Sequence, residues 1–413
     1  MSSDLSHLSK VPDHVPEELV VEYNLLAGET LQHCPQMLPV EHHDRPVLYS
    51  PLHGGFWVLT RYKEVREALQ DAETFGQVGT IPRMPNPHPN IPNSLDPPEL
   101  LKWRQLMLPL FAPKRVAALE PVYREIARKR LDVIAPTGRC EFVAEYARVL
   151  PVWRFCKQLG LPADRSEEFA QISSDATYGH IRVALAEGVE AAAKYRADLS
   201  DKIFAIMTSV VEERHRQPGD DIASVLIEAR MDGEPIDDED IINILTFLYN
   251  AGTDTTSSAI AMAMHHLATH PDDRRALAAT PRIPDGAIEE MLRINTNHHM
   301  SRVARTDGEI CGIAFKKGDL FALSLAGGSR DPDEFADPNV AHLDRPINRH
   351  LAFGLGVHRC LGIHQGRLEM RVALEEFFHR IPEFELEPGF EIHWKPAINK
   401  SSIEAVPLVF EPS

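Results

Sequence analysis

Apolar and polar positions follow different periods along the chain, and the changes of period divide it. Phe56-Trp57-Val58-Leu59 reads as a short strand, and a helical pattern starts near Lys63. Between Ile81 and Pro98 lie seven prolines in eighteen residues, a density that neither a helix interior nor a central strand tolerates. An ordered lid is expected there rather than a linker. From about residue 100 to 300 the pattern is nearly all helical. Its clearest stretch opens on Asp237-Asp238-Glu239-Asp240, acids suited to the positive end of a helix dipole, and runs without proline to Thr269. At about 1.5 Å per residue this predicts a single helix roughly 50 Å long. A short helix ending near Arg293, β-like pieces over Gly308–Phe315 and Leu320–Leu325, and an amphipathic helix over about 361–381 follow. The last helix carries Ile363, Met370, Leu374 and Phe377 on one face. One mainly α domain spanning residues 1–413 is expected, its small β-rich part mainly in the first ~80 residues and around 305–325.

Composition narrows the classes of function. With 43% hydrophobic and 25% charged residues the 413-residue chain is ordinary globular material. Its net charge of −18 argues against nucleic acid or an anionic membrane as a partner. The first residues are polar and lack the apolar core of a signal peptide. The most apolar long segment, Ile241 to Tyr249, is too short to span a bilayer, so a cytoplasmic location is expected. The five cysteines are widely scattered, which suggests reduced thiols. Cys34, Cys140, Cys156 and Cys311 read as buried, inert side chains, whereas Cys360 sits in a different kind of sequence.

That sequence is Phe353-Gly354-Leu355-Gly356-Val357-His358-Arg359-Cys360-Leu361-Gly362. A cysteine at the start of a helix faces unpaired N–H groups that favour the thiolate. Gly354, Gly356 and Gly362 remove side chains where a flat cofactor would need a close approach of the backbone, and Phe353 can cover the sulfur. A glycine-rich turn around a structural cysteine is the plainer alternative. The spacing of the Phe, the glycines, the His and the Cys, however, resembles the haem-binding signature of the cytochrome P450 family. Glu290-Met291-Leu292-Arg293 is similar to that family's Glu-x-x-Arg pair, and Arg302 falls where the family places an arginine on a haem propionate. The Asp96-Pro97-Pro98-Glu99 stretch resembles the bacterial branch of camphor hydroxylase and related terpenoid-oxidising enzymes. The likeness runs from about Asp96 to the C-terminus.

In the middle of the long helical pattern stands Ala251-Gly252-Thr253-Asp254-Thr255-Thr256-Ser257-Ser258, a poor choice for a helix interior. The residues alone allow two readings. One is a helix packed on small side chains with its hydroxyls bonded back to carbonyls. The other is a site where Ala251 and Gly252 leave room for a ligand, Thr255 hydrogen-bonds at the oxygen-binding face and Asp254 relays protons from solvent. The resemblance selects the second, with Asp254 and Thr255 as the acid-alcohol pair.

The same resemblance implies haem b ligated by Cys360, its propionates held by Arg104, Arg302 and His358. Two departures stand out: Leu100 where many relatives have histidine, and Gln365-Gly366-Arg367 where the signature continues Leu-Ala-Arg. It implies a monooxygenase acting with O2 on a small, largely apolar molecule. Electrons would come from NAD(P)H through a ferredoxin and its reductase. That ferredoxin would dock on the Cys360 side, where Lys102, Arg104, Arg115, Arg349 and Arg359 can form a cationic patch. A peroxide-driven peroxygenase and a non-catalytic haem sensor or carrier are the alternatives. Substrate candidates are His88, Phe247, Asn250, Asn297 and His298, together with Thr296 and Met300. Their polar members suggest a substrate carrying an oxygen or another polar group.

Overall fold

The computed structural model describes residues 8–25, 34, 37–81, 88–397 and 399–413. Its β-rich part is a five-stranded sheet of β1 (Val47–Ser50), β2 (Phe56–Leu59), β3 (Phe75–Gln77), β4 (His299–Ala304) and β5 (Leu320–Ser324). The strand order is β1-β2-β5-β4-β3. The strand expected at Phe56–Leu59 is buried along its whole length, pairing with β1 on one side and running parallel to β5 on the other. Strand β4 lies just before the β region expected around 305–325. It is hemmed between β5 and β3 in a register that sets Gln77 opposite Arg302. Gly308–Ile310 and Ile313–Phe315 form a hairpin whose turn holds Cys311 at φ 51. Cys311 is therefore exposed, not buried as expected, while Cys34, Cys140 and Cys156 are buried.

Helices form the rest. Helix α1 (Tyr62–Gln70) backs the sheet, and α2 (Glu99–Met107), α3 (Glu120–Ile134) and α4 (Val149–Leu159) follow. Helices α5 (His180–Glu187) and α6 (Val189–Arg216) pack on each other, and α6 packs on α7 (Asp238–Gly252). Helices α8 (Asp254–Thr269), α9 (Asp285–Ile294) and α10 (Ile363–Arg380) surround a core that includes Met264, Met291, Leu374 and Phe377. The single 50 Å helix is not observed: the pattern is divided at Thr253 into α7 and α8. Side-chain hydroxyls bond back to backbone carbonyls across the division.

Strands also occur where the sequence pattern was silent. The C-terminal hairpin β6 (Trp394–Ala397) and β7 (Lys400–Ile403) brings Lys400 beside His298, and Arg139–Glu141 pairs with Pro407–Val409. These runs are short, and Pro396 and the charged residues blur their alternation. Helix α10 differs from a half-exposed amphipathic helix because its polar face is buried too. Glu369 pairs with Arg154 of α4, and Glu376 with Arg124 of α3, so charge is satisfied inside the fold.

One ion pair ties α9 to the chain leading into the cysteine loop. Arg293 donates to Glu290 through Nε at 2.8 Å and Nη2 at 2.7 Å, and both side chains are fully buried. Arg293 also donates to the carbonyls of Ser329, Pro338 and Val340. Glu290 further accepts from Arg345, Asn348 and the His342 N–H. Burial alone would raise the Glu290 carboxyl, but the hydrogen bonds from Arg293, Arg345 and His342 hold it down to about 2. A carboxyl with a lowered folded-state pKa stabilises the fold above its unfolded value of about 4.3, and that contribution fades as pH falls toward the folded value. Glu290→Leu leaves two arginines without their counter-charge and is expected to destabilise the fold by about 3–5 kcal/mol. Urea unfolding followed by circular dichroism should show this at neutral pH, with the gap between variant and wild type narrowing below about pH 4.3.

Candidate active site and the family it defines

The cysteine loop is shaped by backbone first. Gly354 and Gly356 have φ of 61° and 70°, the left-handed region that favours glycine. A Cβ at Gly356 would overlap the Leu69 carbonyl at the end of α1, and one at Gly354 would lie 2.9 Å from Met300 Sδ. These two glycines thus let the loop pack closely on the protein, and Gly354 also lines the cavity. The loop is closed by the Cys360 N–H donating to the Phe353 carbonyl at 2.9 Å. Gly362 caps α10, and its N–H bonds the Cys360 sulfur. The departure at Gln365-Gly366-Arg367 has a packing consequence. Arg367 lies 4.8 Å from the Phe353 ring centre and grips Glu289 with two hydrogen bonds, while Phe353 packs over Gly366.

Cys360 opens into a cavity of about 560 Å³. It precedes α10 rather than beginning it. Burial raises its thiol pKa above the usual value, against the pull of the Gly362 N–H and of Arg104, Arg367 and Arg359.

Across the cavity lies the break between α7 and α8. Thr253 hydroxyl donates to the Tyr249 carbonyl at 3.0 Å, Thr255 to Ala251 at 2.7 Å and Thr256 to Gly252 at 3.4 Å. Hydroxyls thus share carbonyls with the backbone along this stretch, where the helix is interrupted at one residue. Thr255 lines the cavity with Ala251 and Gly252. Room beside Gly252 is filled from the protein side, because a Cβ there would overlap the Phe155 ring. Asp254 is buried and accepts from Tyr178 OH at 2.7 Å and from Lys400 Nζ. It is a pinned carboxylate, gripped by two residues that no local sequence signal marked.

The basic residues expected at a propionate gather on one side. Arg302, in β4, is buried; its Nη1 donates to Gln77 at 3.1 Å and to its neighbour's carbonyl at 2.8 Å, and its Nη2 has no partner among the described residues. His358 Nε2 is likewise buried without a partner, 4.0 Å from Asp96. Arg104 reaches the Arg359 carbonyl at 2.7 Å. Burial and then Arg302 push His358 down to about 4, so at neutral pH it offers an N–H rather than a charge. These orphaned donors beside Cys360 are what a dianionic, metal-bearing planar cofactor requires.

Of the substrate candidates, Phe247, Asn250, Thr296, Asn297, His298 and Met300 all line the cavity. Asn297 is committed to the Ser401 carbonyl, and burial and then Lys400 lower His298 to about 4. His88 is a correction. It stacks on Phe204 at 4.0 Å and bonds Asp201 at 2.8 Å, and it is absent from the cavity wall. Asn90, Pro92 and Asn93 are what the lid contributes to that wall, residues 82–87 lying outside the described residues. The cationic patch is also reduced: Lys102 pairs with Asp232, Arg349 with Glu334, and Arg104 turns inward, leaving Arg115 and Arg359 exposed.

A helical fold that presents a cysteine and orphaned basic groups to one cavity defines a haem-thiolate protein. Comparison with known proteins agrees. The family model for cytochrome P450 matches residues 180–279 and 283–398. A probable cytochrome P450 127A1 of Sinorhizobium fredii is 32% identical over 92% of both chains. A mycinamicin IV hydroxylase/epoxidase of Micromonospora griseorubida is 30% identical over 86% of this chain and 89% of its own. The crystal structure of CYP101J2 superposes with a TM-score of 0.84 at 27% identity, covering 98% of this chain and 100% of the other. The chain belongs to the cytochrome P450 family, and as such is a haem b monooxygenase that works with O2 and a redox partner. No helix among the described residues is long and apolar enough to cross a membrane.

The crowding at Gly252 gives a direct test. Gly252→Ala forces the Phe155 ring to move and is expected to destabilise the protein by about 1–3 kcal/mol. Combining it with Phe155→Leu should recover part of that loss, which thermal unfolding of the two single variants and the double variant would measure.

Proposed function

We propose that the chain inserts one oxygen atom from O2 into a C–H bond of a small, largely apolar molecule, terpenoid-like or aromatic, with electrons delivered from NAD(P)H through a ferredoxin. The observation that carries this reading is the meeting of Cys360, Thr255 and the orphaned donors of Arg302 and His358 at one cavity. Haem held by the Cys360 thiolate supplies O2 activation, because the thiolate donates electron density to the iron.

The chain's own residues then divide the work. Arg302 and His358, each with a nitrogen lacking a hydrogen-bond partner among the described residues, would hold the propionates together with Arg104. Phe353, stacked under Arg367, shields the sulfur from water. The Thr255 hydroxyl, parked on the Ala251 carbonyl, is the group that would leave that carbonyl and hand a proton into the cavity. Asp254 is the relay behind it: released from Lys400 or Tyr178, its carboxylate would take up a proton from solvent and pass it on. Phe247 and Leu248 offer the apolar surface that would hold the substrate, and Asn250 offers a carbonyl oxygen without a partner among the described residues. On the outer face, Arg115 and Arg359 are the cations left to meet an acidic ferredoxin.

Reduction of the purified protein under carbon monoxide tests the ligand assignment. A strongly red-shifted Soret band supports it, and a band at the position of histidine-ligated haem would remove Cys360 from its role. For the proton relay, Thr255→Ala is expected to keep consuming NADH in a reconstituted ferredoxin system while product per NADH falls at least about tenfold and hydrogen peroxide rises. Unchanged coupling would contradict the role given to Thr255. Turnover driven by peroxide alone, with no gain from ferredoxin and NADH, would instead favour a peroxygenase.

A further inference from the structure

Charge on the cavity wall is matched almost everywhere. Arg154 is paired with Glu369 at 2.6 Å and Lys400 with Asp254, while Arg104, Arg302 and His358 converge on the cysteine side. Arg196 differs. It projects from α6 to the cavity, its Nη1 is buried without a hydrogen-bond partner, and no carboxylate pairs with it among the described residues. Burial works against its charge with nothing opposing. Among the described residues the one acid lining the cavity, Asp175, is already engaged by Gln171 at 3.0 Å and Arg182 at 3.8 Å.

Two more unsatisfied groups share this wall. His180 of α5 is buried, with its Nε2 unpartnered, and it is held neutral by burial and by the nearby Arg196 charge. Asn250 of α7 leaves its Oδ1 buried and unbonded. Apolar surface from Leu199, Ile203, Phe247 and Leu248 adjoins them. Burying a guanidinium without a counter-ion is costly, and a neutral acceptor would satisfy its hydrogen bonds but not its charge. An anion satisfies both.

We propose that the substrate is an amphipathic anion, a carboxylate or a group of like charge on an apolar body, with the charged end received by Arg196 on the wall built by α5 and α6 and the apolar end presented to the oxidising face. This rests on the haem-monooxygenase reading above and narrows it to a substrate class. The acid is bound on elements distinct from those that hold Cys360 and the propionate donors, so substrate charge and cofactor charge are recognised separately.

Ligands anchored at the iron make the test independent of the unknown substrate's shape. The purified holoenzyme is titrated with ω-(imidazol-1-yl)alkanoates from hexanoate to dodecanoate and with the matching ω-(imidazol-1-yl)alkanols, read by the Soret shift that imidazole coordination produces. At the chain length that reaches Arg196, the alkanoate is expected to bind about tenfold or more tighter than its alkanol. Arg196→Met should abolish that ratio and Arg196→Lys retain part of it, both in protein whose carbon monoxide spectrum matches wild type. An alkanoate series that binds no better than the alkanols at every length, or not at all, overturns the proposal, as does a preference that survives Arg196→Met. Absence of the red-shifted carbon monoxide band in wild type would overturn the haem-thiolate reading itself, whatever the titrations gave.

Discussion

The buried Glu290–Arg293 pair is the constraint on which the rest of the site depends. An ion pair removed from water is weak as a source of net stability but strict about geometry, because each unmade bond leaves a charge stranded. Here that strictness is used on both partners. Arg293 collects three carbonyls from the segment 329–340, and Glu290 collects Arg345, Asn348 and a backbone N–H from the segment that follows. A stretch with no helix or strand of its own, residues 330–355, is thereby given one path. The cysteine loop at its end inherits a fixed position. Glu289, one residue earlier, extends the same anchor to Arg367 and His350, which flank Phe353.

Around the cavity the fold treats charge in two ways. Structural ions are neutralised within the protein, as in Arg154 with Glu369, or Arg124 with Glu375 and Glu376. Other donors at the cavity lack a hydrogen-bond partner among the described residues: Arg302 Nη2, His358 Nε2 and Arg196 Nη1. Since an unpaired buried donor costs free energy in the folded state, its persistence beside a cavity indicates a ligand that repays the cost on binding. The separation of those donors into two groups, on β4 and the cysteine loop in one case and on α6 in the other, sets the orientation in which a cofactor and an anionic substrate would lie.

The division of α7 from α8 shows how a local rule and a tertiary contact act together. Hydroxyl side chains at three of four neighbouring positions, Thr253, Thr255 and Thr256, reach back to carbonyls at the break. Phe155 from α4 then packs against the one residue, Gly252, that can receive it. The result is a helix with the line of its pattern preserved and one residue of freedom beside the cavity, where Thr255 and Asp254 stand.

Much of this was written in the sequence. The cysteine loop, the Glu-x-x-Arg pair, the threonine-rich break in an otherwise regular helix and the predominance of helix are local patterns, and local patterns survive in the order of residues. Cavity-lining positions on the long helix, Phe247 and Asn250 among them, followed from the family resemblance. What the sequence did not carry were facts of distance. Lys400 and Tyr178 grip Asp254 from 146 and 76 residues away. The pairing of Gln77 with Arg302 comes from a register between β3 and β4, and His88 is turned from the cavity by Phe204 and Asp201. The two left-handed glycines are held in close contact with Leu69 and Met300, neighbours that the order of residues does not name. A charge's meaning depends on whether a counter-charge lies within reach, and only the tertiary structure decides that. For this reason Arg196 looks like any surface arginine in the sequence and stands uncompensated in the fold.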